Sequence, residues 1–311
     1  MKYTISYGKG NITVYRTHAA PLTGLPRIPE SPYTGRAGTF FAADVEVEVF
    51  GSAFLASYTE GDNSRVVATA TMTNFIFQKA RLYSGATLEG LLLFLGEQML
   101  AQYPDMESLR VSGRDVPFIA AQISHDDGQT FGESDRVYAA NHDSIATAEL
   151  YLSRAAGGGV TVTQHDCGRV GMKLVKLTGN AFANFQRDEF TTLPQKNDRL
   201  LYIYLDMGWR YGDAQDAVSP DHSRYISAQQ VYDHIQHTFH DFVNMSIQHL
   251  VHEMGVRLLA RFPQMHSVWF KAQNRLWEVA AEAAGEDAKT YMDPRPPYGM
   301  IQLELTRDDL P

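Results

Sequence analysis

The sequence predicts an α+β protein of two similar halves, each an antiparallel sheet with its helices on one face. Three observations carry that expectation. Short runs alternate apolar and polar residues, two long stretches carry an apolar stripe at helical spacing, and both halves repeat the order hairpin, strand, helix, strand. At 311 residues the chain has room for two domains of ordinary size, and the repeat divides it into 1–144 and 145–311.

In the first half, Asn11-Ile12-Thr13-Val14-Tyr15 alternates with period two, and Asp44 to Phe50 does so more strictly, as half-buried strands do. Pro21 to Gly38 is rich in proline and glycine and reads as a long, partly mobile loop. Arg65-Val66-Val67-Ala68-Thr69 reads as a third strand. Ala86 to Tyr103 reads as a helix, because Leu88, Leu91, Leu92, Leu95 and Met99 share a face and Pro104 stops it. Further strands are expected at Leu109 to Val111 and Pro117 to Ser124.

In the second half, Ala148 to Leu152 and Val160 to Thr163 flank Ala155-Ala156-Gly157-Gly158-Gly159, a hairpin signal. Lys173 to Leu177 and Leu200 to Leu205 are further strand candidates. One long helix is expected from Ser227 to about Arg261, with Val231, Ile235, Phe239, Phe242, Leu250, Met254 and Leu258 as its buried stripe and Pro263 as its stop. Ser267 to Phe270 and Met300 to Leu305 supply closing strands.

Composition narrows the function. Hydrophobic residues make 44% of the chain and charged residues 20%, which excludes a disordered or fibrous protein. Twenty-seven basic against thirty-six acidic side chains give a net charge of −9, unfavourable for a nucleic-acid backbone or an anionic membrane surface. The single cysteine, Cys167, rules out an intrachain disulfide or an all-cysteine metal site. No signal peptide or membrane span is expected, and the chain reads as cytoplasmic.

Several familiar motifs fail. Tyr7-Gly8-Lys9-Gly10-Asn11 lacks the phosphate-loop spacing, and Gly157-Gly158-Gly159 serves a turn. His249-Leu250-Val251-His252-Glu253 has neither zinc-protease order. His234, His237 and His240 recur every three residues, but no spaced carboxylate completes a metal shell. They read as a solvated face opposite Val231, Ile235 and Phe239, and no metal is expected.

The informative stretch is 179–211. It contains Phe182, Phe185, Arg187-Asp188, Phe190-Thr191-Thr192-Leu193, Asp198-Arg199 and Trp209-Arg210-Tyr211. This resembles the urate oxidase (uricase) family pattern F-x-x-F-x-[RK]-D-x-[FY]-T-T-L, followed by D-R and an aromatic pair. Other segments agree in chain order. They are Tyr7-Gly8-Lys9 with Val14-Tyr15, Ser57 to Ser64 with Val67-Ala68-Thr69, Ser246-Ile247-Gln248, Gln273-Asn274-Arg275 and Gly299-Met300-Ile301. The resemblance is weakest across Arg16–Glu48 and Ser112–His142.

The resemblance implies tandem tunnelling-fold (T-fold) domains in a homotetramer, with a barrel closed by assembly and active sites between subunits. It implies oxidation of urate by dioxygen without metal or other cofactor. Phe182 is then the ring that stacks on the substrate, Arg199 the fork that clamps one edge, Gln248 the amide on the other edge, and Ile247 a backbone donor. Lys9 is the base, expected to be partly buried with a depressed pKa. Thr69, from a neighbouring subunit, is its relay partner, and Asn274 holds dioxygen or water over the ring.

Two departures from the family pattern bear on turnover. Ala70 stands where the family has an acidic residue, and Leu276 stands where it has the relay histidine. Leucine can neither shuttle a proton nor hold the lysine; a histidine from elsewhere, such as His18, His222 or His266, could substitute, but nothing in the sequence places one there. The clamp survives these changes. Three functions therefore stay open: urate oxidation, oxidation or binding of another planar nitrogen heterocycle such as a purine or pterin, and non-catalytic purine binding.

Overall fold

A computed structural model describes residues 4–38, 40–141, 143–285 and 287–310. In chain order the elements are β1 (Ser6–Thr17), β2 (Phe40–Phe50), α1 (Leu55–Thr59), α2 (Thr69–Ala80), α3 (Leu88–Gln102), β3 (Ser108–Asp115), β4 (Phe118–His125), β5 (Thr130–Ala140), β6 (Ile145–Arg154) and β7 (Val160–Lys176). Then follow β8 (Leu201–Tyr211), α4 (Gln215–Val218), α5 (Ala228–Asp241), α6 (Ile247–Arg261), β9 (Met265–Asn274), β10 (Glu278–Glu282), β11 (Lys289–Met292) and β12 (Gly299–Thr306). Among the described residues no helix is long and apolar enough to cross a membrane. The opening Met1-Lys2-Tyr3 lies outside them.

The chain forms two compact units interleaved in sequence. One comprises Met1–Arg27, Tyr33–Cys167 and Asp213–Ile226, the other Ile28–Pro32, Gly168–Gly212 and Ser227–Pro311. These units follow contacts, whereas the halves 1–144 and 145–311 follow the repeated order of elements.

In the first unit the strands run in the order β1-β2-β3-β6-β7, with β1–β2, β2–β3 and β3–β6 antiparallel. The alternation of β2 sorts its residues by face: Val45, Val47 and Val49 are buried. Their neighbours Glu46 and Glu48, with Glu149 of β6, surround the Arg110 guanidinium at 2.7, 3.3 and 3.4 Å. Helices α2 and α3 pack on this sheet. Helix α3 starts at Thr87, whose hydroxyl accepts from the Gly90 N–H at 3.1 Å. Where it crosses β6 it carries Gly96, at which a Cβ would lie 2.1 Å from Leu152 Cδ1.

The second unit repeats the plan. Its strands run β7-β8-β9-β12, and the β8–β9 and β9–β12 pairs are antiparallel. Helix α6 packs on β9 and β12, with α5 beside it. Again a glycine permits the close approach, since a Cβ on Gly255 would lie 2.6 Å from Leu305 Cδ1. The T-fold expectation, antiparallel open sheets with helices packed on them, is met in both units.

Several local expectations are corrected. Residues 65–69 form no strand: the Val67 N–H is taken by the Tyr7 hydroxyl at 3.1 Å, and the chain turns into α2 at Thr69. Lys173 to Leu177 is mostly the end of the seventeen-residue β7. The expected single helix is two, because Asn244 is drawn into a side-chain pair and Ser246 caps a new start, its hydroxyl accepting from the His249 N–H at 3.1 Å. The loop 21–38 is packed: Leu22 and Arg36 exchange backbone bonds of 2.9 and 3.0 Å, and Leu22 and Leu25 are buried with Ala86 and Tyr225. The histidine stripe is not wholly solvated. His234 is 3% exposed, and burial pushes its pKa down to about 4 against the opposing pull of Glu30.

Candidate active site

The stretch 179–199 is folded by its own backbone. Phe182 and Lys196 exchange backbone bonds of 2.8 and 3.0 Å, which closes the intervening loop at its base. Below that base the Arg199 N–H donates to the Asn180 carbonyl at 2.8 Å, so Phe182 and Arg199 stand together. Within the loop, Asp188 takes the Phe190 N–H at 3.0 Å and the Thr191 hydroxyl at 2.9 Å, the turn encoded by Arg187-Asp188-Glu189-Phe190-Thr191.

Among the described residues Asp198 forms no ion pair with the guanidinium of its neighbour Arg199. Its carboxylate accepts from the Thr178 hydroxyl at 2.5 Å and from the Gly179 and Asn180 N–H groups at 2.8 and 3.4 Å. These bonds, the Thr178 hydroxyl foremost, hold its pKa below the ordinary aspartate value. Arg199 is thereby left for another partner. Its guanidinium lies 5.2 Å from the Phe182 ring centroid, and its Nε is buried with no hydrogen-bond partner. Burial lowers its pKa, yet a guanidinium keeps its charge at neutral pH. A buried donor left unbonded costs about 1–3 kcal/mol, so this geometry favours an acceptor placed beside the Phe182 ring.

The same segment is tied to the start of α6. The Ala181 N–H donates to the Asn244 carbonyl at 2.8 Å, and Asn244 Nδ2 donates to Asn180 Oδ1 at 2.5 Å. Two residues later Ser246 caps the helix, so the N–H groups of Ile247 and Gln248 fall in its first turn, where helix geometry supplies no partner. Ile247 is buried and Gln248 exposed. Unbonded N–H groups and the positive end of the helix dipole favour an anionic or carbonyl-rich ligand.

Asn274 ends β9, opposite Ile203 of β8 and Gly299 of β12. Its Oδ1 is buried with no hydrogen-bond partner. Tyr202, three residues beyond Arg199, accepts the Arg275 N–H at 3.0 Å, so Asn274 and Arg199 share one end of the β8–β9 pair. Leu276 is 42% exposed and offers no proton carrier. His266 lies eight residues back along β9, roughly 26 Å away at strand rise. His222 is committed to the Thr23 carbonyl at 2.9 Å and His18 to the Thr17 hydroxyl at 3.2 Å.

Lys9 and Thr69 belong to the first unit. Lys9 precedes the bulge of β1, where the register shifts before Ile12 and Asn11 takes a left-handed φ of 59°. Its side chain is exposed and enters no ion pair among the described residues, so the expected partial burial is not present in the single chain. Thr69 opens α2, half-buried, with exposed Ala70 beside it. The seven expected residues thus fall into two groups: Phe182, Arg199, Ile247, Gln248 and Asn274 in one unit, Lys9 and Thr69 in the other. Among the described residues no three histidine, cysteine or acidic side chains converge as a metal site.

The uricase family model matches residues 165–302, which include all five residues of the first group. A uricase of Haloferax volcanii is 41% identical over 306 residues, covering 98% of this chain and 99% of that protein. The chain belongs to the uricase family. A solved uricase from Bacillus fastidious superposes with a TM-score of 0.95 at 38% identity, covering 100% of this chain and 96% of that one. The chain is also 40% identical over 310 residues to the uric acid degradation bifunctional protein of Bacillus subtilis; it spans 62% of the length of that relative.

Asn180 and Asn244 were missed by sequence reasoning. They fasten the uricase loop to α6, but a lone asparagine in a polar loop gives no signal of pairing across 64 residues. Ser246 was legible as a cap before an apolar run; the continuous stripe from Val231 to Leu258 concealed it.

Proposed function

We propose that this chain is a urate oxidase, converting urate, dioxygen and water to 5-hydroxyisourate and hydrogen peroxide in purine catabolism. The observation that carries the proposal is the Phe182–Arg199 pair, a ring face with a buried, unpartnered guanidinium N–H beside it. A planar, acidic heterocycle stacked on Phe182 would meet Arg199 on one edge, where a planar fork can donate two parallel bonds. Gln248 would face the other edge with an amide that both donates and accepts, and the Ile247 N–H would donate from the start of α6. Asn274 would hold dioxygen or water. Similarity to proteins named uricase supports the same assignment.

Lys9 would serve as the base and Thr69 as its relay. Their placement in the first unit, with Lys9 exposed, supports a site completed by a neighbouring subunit of a homotetramer. In that assembly tandem T-fold domains, 1–144 and 145–311, would close a barrel and cover the sheet edges. The reaction would need no metal or organic cofactor, dioxygen being the co-substrate, and would run in the cytoplasm without nucleic-acid or membrane partners.

A second reading is favoured by Ala70 and Leu276: the same clamp holding a different planar heterocycle, a purine or pterin. An oxygen-electrode assay with a purine and pterin panel in metal-free buffer separates the two. Urate is expected to give oxygen uptake, loss of its absorbance and peroxide release. Uptake with another heterocycle but not urate establishes the second reading. Ligand-induced thermal stabilisation with no oxygen uptake establishes a binding protein instead.

A further inference from the structure

The geometry points to Arg275 and Tyr298 as positioning residues that hold Asn274 in place. This rests on the proposal that Asn274 holds the dioxygen side of the reaction. Asn274 does not secure its own amide, since its Oδ1 is buried without a partner. The residues flanking it are locked instead. Arg275 Nε and Nη2 both donate to Gln273 Oε1, at 3.1 and 2.5 Å, joining the two side chains across Asn274. Alternation along the extended chain directs the Asn274 side chain to the other side.

The Arg275 guanidinium is fixed in turn by two rings. It lies 3.8 Å from the Tyr298 centroid and 4.8 Å from the Tyr204 centroid, distances at which a cation is held by the ring quadrupole. Its backbone N–H donates to the Tyr202 carbonyl at 3.0 Å. Tyr202 and Tyr204 are on β8, Gln273 on β9, and Tyr298 immediately precedes β12. One guanidinium therefore ties together the three strand ends around Asn274. It enters no ion pair among the described residues, so its charge is committed to the rings.

A lysine at this position would have neither the planar fork nor the stacking face. In this chain Arg275 supplies rigidity next to a position, Leu276, that can supply no hydrogen bond. Burial, with the neighbouring Tyr204, pushes the Tyr202 phenol up to about 12.

The test is steady-state kinetics with dioxygen varied at saturating urate and urate varied in air, on Asn274→Ala, Tyr298→Ala, Tyr298→Phe and the Asn274→Ala/Tyr298→Ala double variant. Tyr298→Ala is expected to raise the KM for dioxygen roughly threefold to tenfold with the KM for urate unchanged. Tyr298→Phe, which keeps the ring, should restore it. In the Asn274→Ala background Tyr298→Ala should add nothing, because its effect passes through Asn274. If Tyr298→Ala fails to fold, Arg275→Lys should show the same dioxygen defect. An additive loss, or an equal rise in both KM values, overturns the proposal. If Asn274→Ala impairs dioxygen use and the Tyr298 and Arg275 variants do not, the clamp alone is wrong. If Asn274→Ala leaves dioxygen use unchanged, the assignment of Asn274 falls and the clamp with it.

Discussion

Phe182 and Arg199 are held by at least five backbone and side-chain bonds within one compact unit, whereas Lys9 stands exposed on the bulged strand of the other. The first arrangement is already shaped for a flat ligand: the loop base is closed, Asp198 is occupied elsewhere, and Arg199 keeps a donor unspent. The second is not shaped by its own chain. A base must be desolvated and aimed before it transfers a proton efficiently, and among the described residues of the first unit Lys9, the proposed base, stays exposed. On the proposed function, binding and proton transfer are thus separable, the proposed clamp lying in one unit and the proposed base in the other.

Substitutions can break that separation. The largest effect is expected from Lys9→Met, which should lower kcat by roughly 10²–10⁴-fold, the usual share of proton transfer. Urate affinity should change far less than turnover, since Phe182 and Arg199 are untouched; stopped-flow turnover with urate binding measured anaerobically checks it. Next, Arg199→Ala should lower kcat/KM by roughly 10²–10³-fold, because truncating a charged partner costs about 3–4 kcal/mol. Here affinity should fall with rate, the reverse of the Lys9 pattern.

Smaller effects sharpen the picture. Asp198 has a depressed pKa, so its contribution is present above the ordinary aspartate range and lost as pH falls through the lowered value. Asp198→Asn removes the charge at neutral pH and should raise the KM for urate roughly threefold to tenfold while kcat changes less. The smallest effect on activity is expected at Glu89, a buried carboxyl in the first unit that accepts the Tyr225 hydroxyl at 2.9 Å. Burial raises its pKa from 4.5 to about 7. A raised carboxyl favours the protonated fold, so stability is full below the unfolded value, declines between about pH 4.5 and 7, and is level above. Glu89→Gln should flatten that slope, melting a few degrees above wild type at pH 8 and level with it at pH 4.5, as calorimetry at the two values would show.

Much of this was legible in residue order. The alternation of β2 and the leucine face of α3 announced the sheet and its cover, because half-buried strands and helices impose their periods on sequence. Phe182 and Arg199 were legible as a pair through a long spaced motif. What stayed hidden depends on contacts remote in sequence. Helix α2 was unread because its threonines and phenylalanines are weak helix formers and only Met72, Ile76 and Ala80 mark its buried row. Val66 and Val67 looked like strand residues, but the Tyr7 hydroxyl claims the Val67 N–H. The Asn180–Asn244 pair and the Arg275–Tyr298 contact join positions that no local period connects.

Subunit complementation tests the central claim most directly. Thr69→Val and Arg199→Ala are purified separately, each inactive on urate, then unfolded and refolded together. If one subunit supplies Thr69 and its neighbour supplies Arg199, mixed oligomers contain some sites with both residues intact, and urate oxidation with oxygen uptake returns. If the mixture folds and assembles yet stays as inactive as its parents, Thr69 and Arg199 do not serve one site from two subunits, and the division of labour drawn here is contradicted.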